Sequence, residues 1–365
     1  MKNTRCHWLC AIAIAWLVPW NATGQESSKV SPYDAVWDQS VQQEFSGIVL
    51  VAEQGKIVFH RAHGFADAER QIALTAQTPM GIASISKSFT AVLIMQLVEG
   101  GQLRLDQTLA ELLPQYPVPT GETITLRNLM MHTSGLPKEP DEIYIAPASV
   151  DAMLKQVLSE SASYTEPGSF HYNNVDYLLL GEIIANLTGQ PWQDRLQSTV
   201  LTPLGMAQTG FRTMDMNSPT IARGYMRDEN GDFQPETAFA IGNYGAAGSM
   251  YSNTEDLLRY DQALHQNLLL TADSRAELFK GYPELGYVAM GHWAYNYPFL
   301  PSQPYLVERR GGIRGFHAVW VRFEEEQKTL IVLSNADTFN PDSFGEPGNV
   351  KEAFIRAMGQ RDEAG

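Results

Sequence analysis

Two apolar, β-branched stretches near each end of the chain predict strands, and a polar turn separates the members of each pair. Residues 46–52 and 57–61 flank the turn 53–56, which predicts a hairpin. Residues 317–323 and 328–334 flank a run of glutamates and predict a second hairpin. We therefore expect strands from both ends of the chain to meet in one sheet.

Helical periodicity fills the interval between the two hairpins. A helix is expected from Ser86 to the stop at Gly100-Gly101, and it is apolar nearly all round. A helix of that kind is usually buried in the middle of a fold. The stretch Ser252-Asn253-Thr254-Glu255 has the pattern of a capping box. Further helices are predicted over 33–45, 149–159, 174–187, 192–200, 252–265 and 350–358.

This order of elements predicts an α/β fold, of the α+β kind, with one mixed sheet and a helical insertion. The lobe that carries the sheet is expected over about 33–83 and 245–360, and the helical lobe over about 84–244. Together they are expected to form one domain, 25–365. The ligand cleft should lie between the lobes, which is a common position for such sites.

The first 24 residues have the pattern of an export signal. Lys2 and Arg5 form a positive start, 8–20 is apolar, and small residues end at Gly24. The apolar run is short for a membrane-spanning helix. We therefore expect a cleaved signal peptide over 1–24 and an exported, periplasmic or secreted mature protein without a stable membrane span. A retained anchor is the alternative.

Composition and charge limit the classes of ligand. Cys6 and Cys10 fall inside the predicted signal, so the mature chain is expected to lack disulfides, thiolate metal sites and a cysteine nucleophile. His60 and His63 have no third ligand at metal-site spacing, and we expect neither a metal nor another cofactor. The net charge of −15 argues against nucleic acid as a partner. A small-molecule or peptide substrate is expected, and the oligomeric state stays open.

Candidate chemistry is concentrated at the start of the apolar helix, in Ser84-Ile85-Ser86-Lys87. Three positions make about one helical turn, so the side chains of Ser84 and Lys87 share a face. A serine hydroxyl becomes a good nucleophile when a base takes its proton, and a lysine can do so if burial or nearby cations lower its pKa. The helix N-terminus favours a developing oxyanion. A pattern this short also arises by chance, so support must come from elsewhere in the chain.

The stretch Tyr172-Asn173-Asn174 offers a partner for Ser84. A nearby lysine stabilises the phenolate of a tyrosine, so Tyr172 and Lys87 together make a credible general base. Asn174 can hydrogen-bond both a lysine and a substrate amide. The alternative interpretation is a buried tyrosine followed by a helix cap.

A third stretch, 308–316, contains two arginines and two glycines just before a predicted strand. Glycines at Gly311 and Gly312 allow a substrate to approach the sheet edge closely, and a backbone N–H there could bind an oxyanion with that of the serine. Arg309 and Arg310 offer forked donors for a substrate carboxylate. The alternative is an exposed basic loop.

Taken in order, these stretches resemble the serine β-lactamase and penicillin-binding-protein superfamily. The similarity is to its class C-like branch of β-lactamases, D-alanyl-D-alanine carboxypeptidases, D-aminopeptidases and esterases, and it covers about 45–336. Residues 84–87 look like the Ser-x-x-Lys motif and 172–174 like Tyr-x-Asn, while 132–137 and 245–252 also read like that branch. The resemblance implies an antiparallel sheet flanked by helices, an all-helical subdomain and an active cleft between them.

The resemblance also implies roles for individual residues. Ser84 would be acylated, Lys87 and Tyr172 would move protons, and water would release the product. Gly312 would supply the second oxyanion N–H. Where the family usually has Lys-Thr-Gly or His-x-Gly, this chain has Arg309-Arg310-Gly311, which lacks the usual hydroxyl and a group able to exchange protons near neutral pH.

Two functional hypotheses follow. The first is an exported serine hydrolase that cleaves an ester, an amide or a D-amino-acid peptide through an acyl-enzyme on Ser84. The second is a non-catalytic binding or sensor protein that keeps the fold with an altered third motif.

Overall fold

The computed structural model describes residues 31–159, 163–212 and 220–360. The predicted signal peptide over 1–24, with Cys6 and Cys10, lies outside this part of the chain. Within it, no helix combines the length and the hydropathy needed to cross a membrane.

Both ends of the chain contribute strands, and helices fill much of the interval between. The described strands are β1 (Gly47–Glu53), β2 (Lys56–His63), β3 (Phe65–Asp67), β4 (Ile72–Ala73), β5 (Met80–Gly81), β6 (Gly210–Phe211), β7 (Tyr225–Arg227), β8 (Phe233–Pro235), β9 (Met250–Ser252), β10 (Val288–Ala289), β11 (His292–Asn296), β12 (Tyr305–Ile313), β13 (Phe316–Phe323) and β14 (Lys328–Ser334). The described α-helices are α1 (Pro32–Gln42), α2 (Ser86–Glu99), α3 (Leu109–Leu112), α4 (Leu126–Met130), α5 (Val150–Leu158), α6 (Asn174–Thr188), α7 (Trp192–Leu196), α8 (Gly245–Gly248), α9 (Thr254–His265), α10 (Ala272–Leu278) and α11 (Val350–Gln360).

One antiparallel sheet carries the architecture, in the order β10-β11-β12-β13-β14-β1-β2. Both predicted hairpins are present, as the β1–β2 and β13–β14 pairs. Alternate residues of β1 face opposite sides of the sheet. Ile48 and Leu50 pack in a core with α2 and the other helices of the interval, and Val49 and Val51 pack in a second core with α1 and α11. The sheet is therefore covered on both faces, as the α+β prediction requires.

Helix α2 is the buried helix that the sequence pattern predicts. Its side chains from Ser86 to Met95 are buried, and it contacts α6, α8 and α10. The 3-10 turn Ala83–Ile85 precedes it and packs against β12 and β13. The start of α2 is thereby fixed against the middle of the sheet.

The structure corrects several sequence-based expectations, among them the mixed sheet, because every pairing described within the main sheet is antiparallel. The sequence pattern puts the third motif just before a strand, whereas Arg309 to Ile313 lie inside β12. The pattern also misses β11 and β12, and in β12 the buried charged residues Glu308 and Arg309 interrupt the apolar run. Asn253, rather than a serine-based capping box, caps α9: its side chain accepts a hydrogen bond from the Asp256 N–H. Short strands β6 to β8 also interrupt the interval expected to be helical.

Candidate active site

Ser84 lies in the 3-10 turn immediately before α2. The preceding residue, Ala83, has a φ of 46°, a left-handed conformation that costs a non-glycine residue energy. Ser86 holds this turn, because its Oγ donates to the Ala83 carbonyl at 2.6 Å and accepts from the Met250 N–H at 3.2 Å. The strained turn therefore places a half-buried Ser84 at the N-terminus of the buried helix α2.

Two proton-carrying side chains meet the Ser84 hydroxyl. Tyr172 Oη lies 2.7 Å from Ser84 Oγ, and Lys87 Nζ lies 3.1 Å from it. Nζ also donates to Asn174 Oδ1 at 2.6 Å and to the Ala247 carbonyl at 2.8 Å. An ammonium group has three N–H donors, so the three acceptors hold Lys87 in one position. The structure therefore brings together Ser84, Lys87, Tyr172 and Asn174.

The surroundings lower the pKa of both Lys87 and Tyr172. Burial lowers the pKa of Lys87 to about 8, against the opposing effect of Tyr172. Burial alone would raise the pKa of Tyr172, but the charges of Arg309 and Lys87 outweigh it and lower that pKa to about 8. Because the two groups interact, they release protons as a coupled pair. A proton can leave the pair near neutral pH, which is what a general base for Ser84 needs.

A buried glutamate holds Asn174 at the start of α6. Asn174 Nδ2 donates to Glu139 Oε1 at 2.6 Å, while its Oδ1 accepts from Lys87. Tyr144 Oη donates to the same Glu139 oxygen at 2.9 Å. The negative charge of Glu139 also raises the pKa of Lys87. Sequence reasoning misses Glu139 and Tyr144, and the only available signal is an acidic residue two positions after 132–137.

Arg309 is in contact with Ser84 and is almost fully buried, with 1% of its surface exposed. Its Nε donates to the Ser84 carbonyl oxygen at 2.7 Å, and its Nη2 donates to Tyr172 Oη at 2.7 Å. Its guanidinium also lies over the rings of Tyr172 and Trp293. The sequence analysis assigns Arg309 to a substrate carboxylate. That assignment stays a prediction, and the donors described here serve Ser84 and Tyr172.

Arg310 makes a different set of contacts. Its Nε donates to Glu308 Oε1 at 2.8 Å, and its Nη2 bonds the same oxygen. Its Nη1 lies 3.6 Å from Asp342 Oδ1. The guanidinium therefore sits between two carboxylates, one fully buried and one exposed.

Strand β12 passes close to Ser84 at Gly311 and Gly312. A Cβ at Gly311 would lie 2.4 Å from the Ile82 carbonyl oxygen and 3.1 Å from Ser84 N, so a side chain there would force the strand away. Gly312 is exposed, and a Cβ there would meet His317 Nδ1 at 3.8 Å. Gly311 accounts for the close approach, and Gly312 borders open space.

These residues open onto a cavity of about 310 Å³. Trp293 stands between Phe170 and Tyr172, with ring centroids 6.3 and 6.4 Å away, and forms an aromatic wall with them. No motif in the sequence predicts Trp293 or Asp342 as part of the site. The cavity is lined by Ser84, Phe170, Tyr172, Trp293, Arg310, Gly311, Gly312 and Asp342.

A buried histidine supports Tyr172 from behind. The ring centroid of His132 lies 4.5 Å from that of Tyr172, and its Nδ1 lies 3.0 Å from Asp176 Oδ2. Burial holds the pKa of His132 well below its ordinary value and that of Asp176 well above. Both shifts favour the neutral form of the group over its charged form.

The chain is similar to known proteins over most of its length. A family model described as Beta-lactamase matches residues 30–354. The chain is 29% identical over 318 residues to Penicillin-binding protein 4* of Bacillus subtilis, covering 81% of this chain and 69% of that protein. It is 24% identical over 302 residues to Protein flp of Staphylococcus aureus, covering 80% of this chain and 59% of that protein.

A solved structure gives a similar result at the level of the fold. A D-amino acid amidase from Ochrobactrum anthropi, in complex with L-phenylalanine amide, matches with a TM-score of 0.77 and 25% sequence identity. The match covers 92% of this chain and 99% of the amidase chain. The similarity therefore extends over both the sheet and the helices that surround Ser84.

Proposed function

The chain belongs to the beta-lactamase family of serine hydrolases, and from this premise we propose that it cleaves an ester, an amide or a D-amino-acid peptide through an acyl-enzyme on Ser84. Ser84 Oγ attacks the substrate carbonyl carbon, and its proton passes to the departing alcohol or amine. Water then attacks the new ester, releases a carboxylic acid and restores the hydroxyl. One observation carries the proposal: Tyr172 Oη and Lys87 Nζ both lie within hydrogen-bonding distance of Ser84 Oγ.

Tyr172 and Lys87 carry the proton between these steps. Their coupled pKa values of about 8 leave one proton easily removed, so the pair accepts the Ser84 proton and returns it to the leaving group. Asn174 keeps Lys87 in place through its 2.6 Å hydrogen bond. Arg309 favours the phenolate by its charge and by its bond to Tyr172 Oη.

The backbone N–H groups of Ser84 and Gly312 bind the oxyanion that forms on the substrate. The close approach of β12 to the Ser84 backbone at Gly311, and the exposure of Gly312 in the cavity, support this role. Removal of one such donor typically costs a factor of about 10²–10³ in kcat.

The size of the cavity favours a substrate whose acyl or leaving group next to Ser84 is small. A volume of about 310 Å³ is at the small end of ligand pockets, and the Trp293 wall suits an apolar or aromatic group. An amide substrate is compatible with the similarity to the amidase from Ochrobactrum anthropi.

An acylation time course tests the nucleophile and its release together. The purified chain is incubated with a fluorophosphonate and, separately, with a fluorescent penicillin and p-nitrophenyl esters. Added mass is then mapped to individual residues. We expect mass on Ser84 that is absent from Ser84→Ala and present in the matched control Ser198→Ala, whose exposed serine lies on the surface. If Ser84 is not labelled and turnover does not exceed the Ser84→Ala background, the non-catalytic binding or sensor hypothesis would replace this one.

Export is a second part of the proposal, and it rests on the pattern of residues 1–24. The full-length chain is expressed in bacteria, and the protein is recovered from the cytoplasm, the periplasm and the medium. Intact-mass analysis should give a chain that begins at Gln25 in one of the last two fractions. A chain that keeps Met1 and stays in the cytoplasm would contradict export.

A further inference from the structure

The cations beside Ser84 are already engaged by groups of the protein. Lys87 is fully buried and donates to Ser84 Oγ, Asn174 and the Ala247 carbonyl. Arg309 donates to the Ser84 carbonyl and to Tyr172. Both cations are buried, and neither is among the residues that line the cavity, so a substrate carboxylate in the cavity meets neither of them directly.

The cation at the cavity wall, Arg310, is engaged in the same way. Two of its nitrogens bond Glu308, and the third faces Asp342 at 3.6 Å. Glu308 is fully buried and also accepts from Lys351 Nζ at 3.2 Å and from Tyr295 Oη at 2.8 Å. Burial alone would raise the pKa of Glu308, but Lys351 and Arg310 outweigh it and lower that pKa. Glu308 therefore stays ionised and neutralises Arg310.

The outermost charge of the cavity is negative. The Asp342 side chain is 72% exposed and lines the same cavity as Ser84. Trp293 lines the same cavity, and its ring already receives the guanidinium of Arg310 at 5.1 Å. Both a carboxylate and an aromatic face attract cations, and a carboxylate repels anions.

We propose that Asp342, together with the neutralised Glu308–Arg310 pair, makes the cavity select against substrates that carry a free carboxylate and in favour of neutral or cationic ones. This inference rests on the proposed serine hydrolase function and narrows its substrate class. An anionic substrate meets the exposed Asp342 carboxylate and finds Arg310 already paired, so it must break an ion pair before it gains one. A neutral or ammonium-bearing substrate pays no such cost.

Matched chromogenic esters test this selection. The butyrate esters of 4-nitrophenol and of 3-carboxy-4-nitrophenol share an acyl group and differ by one carboxylate. Butyrylthiocholine, a thioester whose released thiol is detected with a chromogenic disulfide, adds a cationic leaving group. Each kcat/KM is divided by the rate of hydroxide-catalysed hydrolysis of the same ester. We expect the neutral and cationic esters to be preferred over the anionic one. Asp342→Asn should reduce that preference by about threefold to tenfold, as expected for one charge near the cavity mouth.

The control removes an equally exposed charge elsewhere. Asp106 is 80% exposed, pairs with Arg104 at 3.1 Å and lines a separate pocket, so Asp106→Asn should leave the preference unchanged. An identical preference in Asp342→Asn and the native chain, or a native preference for the anionic ester, would overturn the inference.

A binding measurement separates this inference from the hydrolase proposal. In Ser84→Ala, which lacks the nucleophile, benzylammonium, benzamide and benzoate are titrated and followed by saturation-transfer NMR. We expect benzoate to bind most weakly of the three. Adding Asp342→Asn to this variant should reduce the difference in affinity between benzoate and benzylammonium. Equal binding of all three would overturn the charge selection, whereas absence of ester turnover together with the expected binding order would overturn only the hydrolase.

Discussion

Arg309 and Arg310 are neighbours on β12, yet their guanidinium groups bond different partners. Adjacent residues of a strand point to opposite faces, so Arg309 reaches Ser84 and Tyr172 while Arg310 reaches Glu308. Arg309 lowers the pKa of Tyr172. Burial alone would lower the pKa of Arg310, but Glu308 outweighs it and raises that pKa. Arg309 changes the pKa of the phenol that it faces, whereas Arg310 forms a structural ion pair with the buried carboxylate of Glu308.

The largest difference in kcat/KM should be between tyrosine variants on the Arg309 side and on the Arg310 side of β12. Tyr172→Phe removes the hydroxyl that lies 2.7 Å from Ser84 Oγ, and we expect ester kcat/KM to fall by about 10³-fold. Tyr297→Phe is the matched control, because the Tyr297 hydroxyl donates to Glu352 in the network behind Arg310. It should lower stability and leave kcat/KM nearly unchanged. Equal losses of kcat/KM in both variants would remove the distinction between the faces.

Breaking the network on the Arg310 face should cost stability. Glu308→Gln leaves Lys351 and Arg310 without their shared anion in a buried site, so we expect the free energy of unfolding to fall by about 3–5 kcal/mol. Urea denaturation measures the change. Glu69→Gln, which breaks the exposed pair with Arg223, should cost no more than about 1 kcal/mol. Similar losses in the two variants would contradict the role given to Glu308.

The same variant gives a signed pH test. The pKa of Glu308 is lower in the folded chain than in the unfolded chain, so its stabilising effect is present above the unfolded pKa and is lost as pH falls through the folded pKa. Glu308→Gln should therefore lose most relative to the native chain near neutral pH and least in acid. A difference that grows toward acid pH would contradict this sign.

On the Arg309 face the expected change is a shift in the pH profile. In the native chain kcat/KM should rise with pH through about 8, as the Tyr172–Lys87 pair loses a proton. Because Arg309 lowers the pKa of both groups, Arg309→Gln should move that rise to higher pH. Arg309→Lys keeps the charge and should restore part of the shift. A profile that stays at its original pH in Arg309→Gln would remove the electrostatic role.

The smallest expected effect is at Glu139, and its sign is opposite. Glu139 raises the pKa of Lys87, so Glu139→Gln should move the rise in kcat/KM to lower pH. The amide can still accept from Asn174, so the maximal rate should fall by less than about tenfold. Tyr116→Phe, which removes the 3.0 Å hydrogen bond to Asp151, serves as the control and should leave the profile in place. A shift to higher pH in Glu139→Gln would contradict the assigned charge effect.

The sequence predicts those parts of the molecule whose signal is local. The all-round apolar pattern after Ser86 predicts that α2 is buried, and the β-branched runs predict both hairpins. Short spacing also brings Ser84 and Lys87 to the same face. These features depend on neighbouring residues, so a single sequence contains the information needed to recognise them.

Features that depend on distant contacts are harder to predict. Strand β12 carries buried Glu308 and Arg309, and their burial is favourable only because Lys351 and Tyr172 meet them from other parts of the chain. Trp293 and Asp342 reach the cavity from separate strands and loops and belong to no motif. Their roles require knowledge of which segments pack together.

The pairing of β1 with β14 has a consequence for biogenesis. Ser334 Oγ donates to the Ser46 carbonyl across 288 positions of sequence, and β1 lies between β14 and β2 in the sheet. Contacts of such large sequence separation form slowly. During synthesis, the turn that carries Ser84 is complete long before Arg309 and Gly311 leave the ribosome. A nascent chain therefore holds Ser84 and Lys87 before Arg309 and Gly311 exist, and the cavity beside Ser84 can assemble only after β12 has been translated.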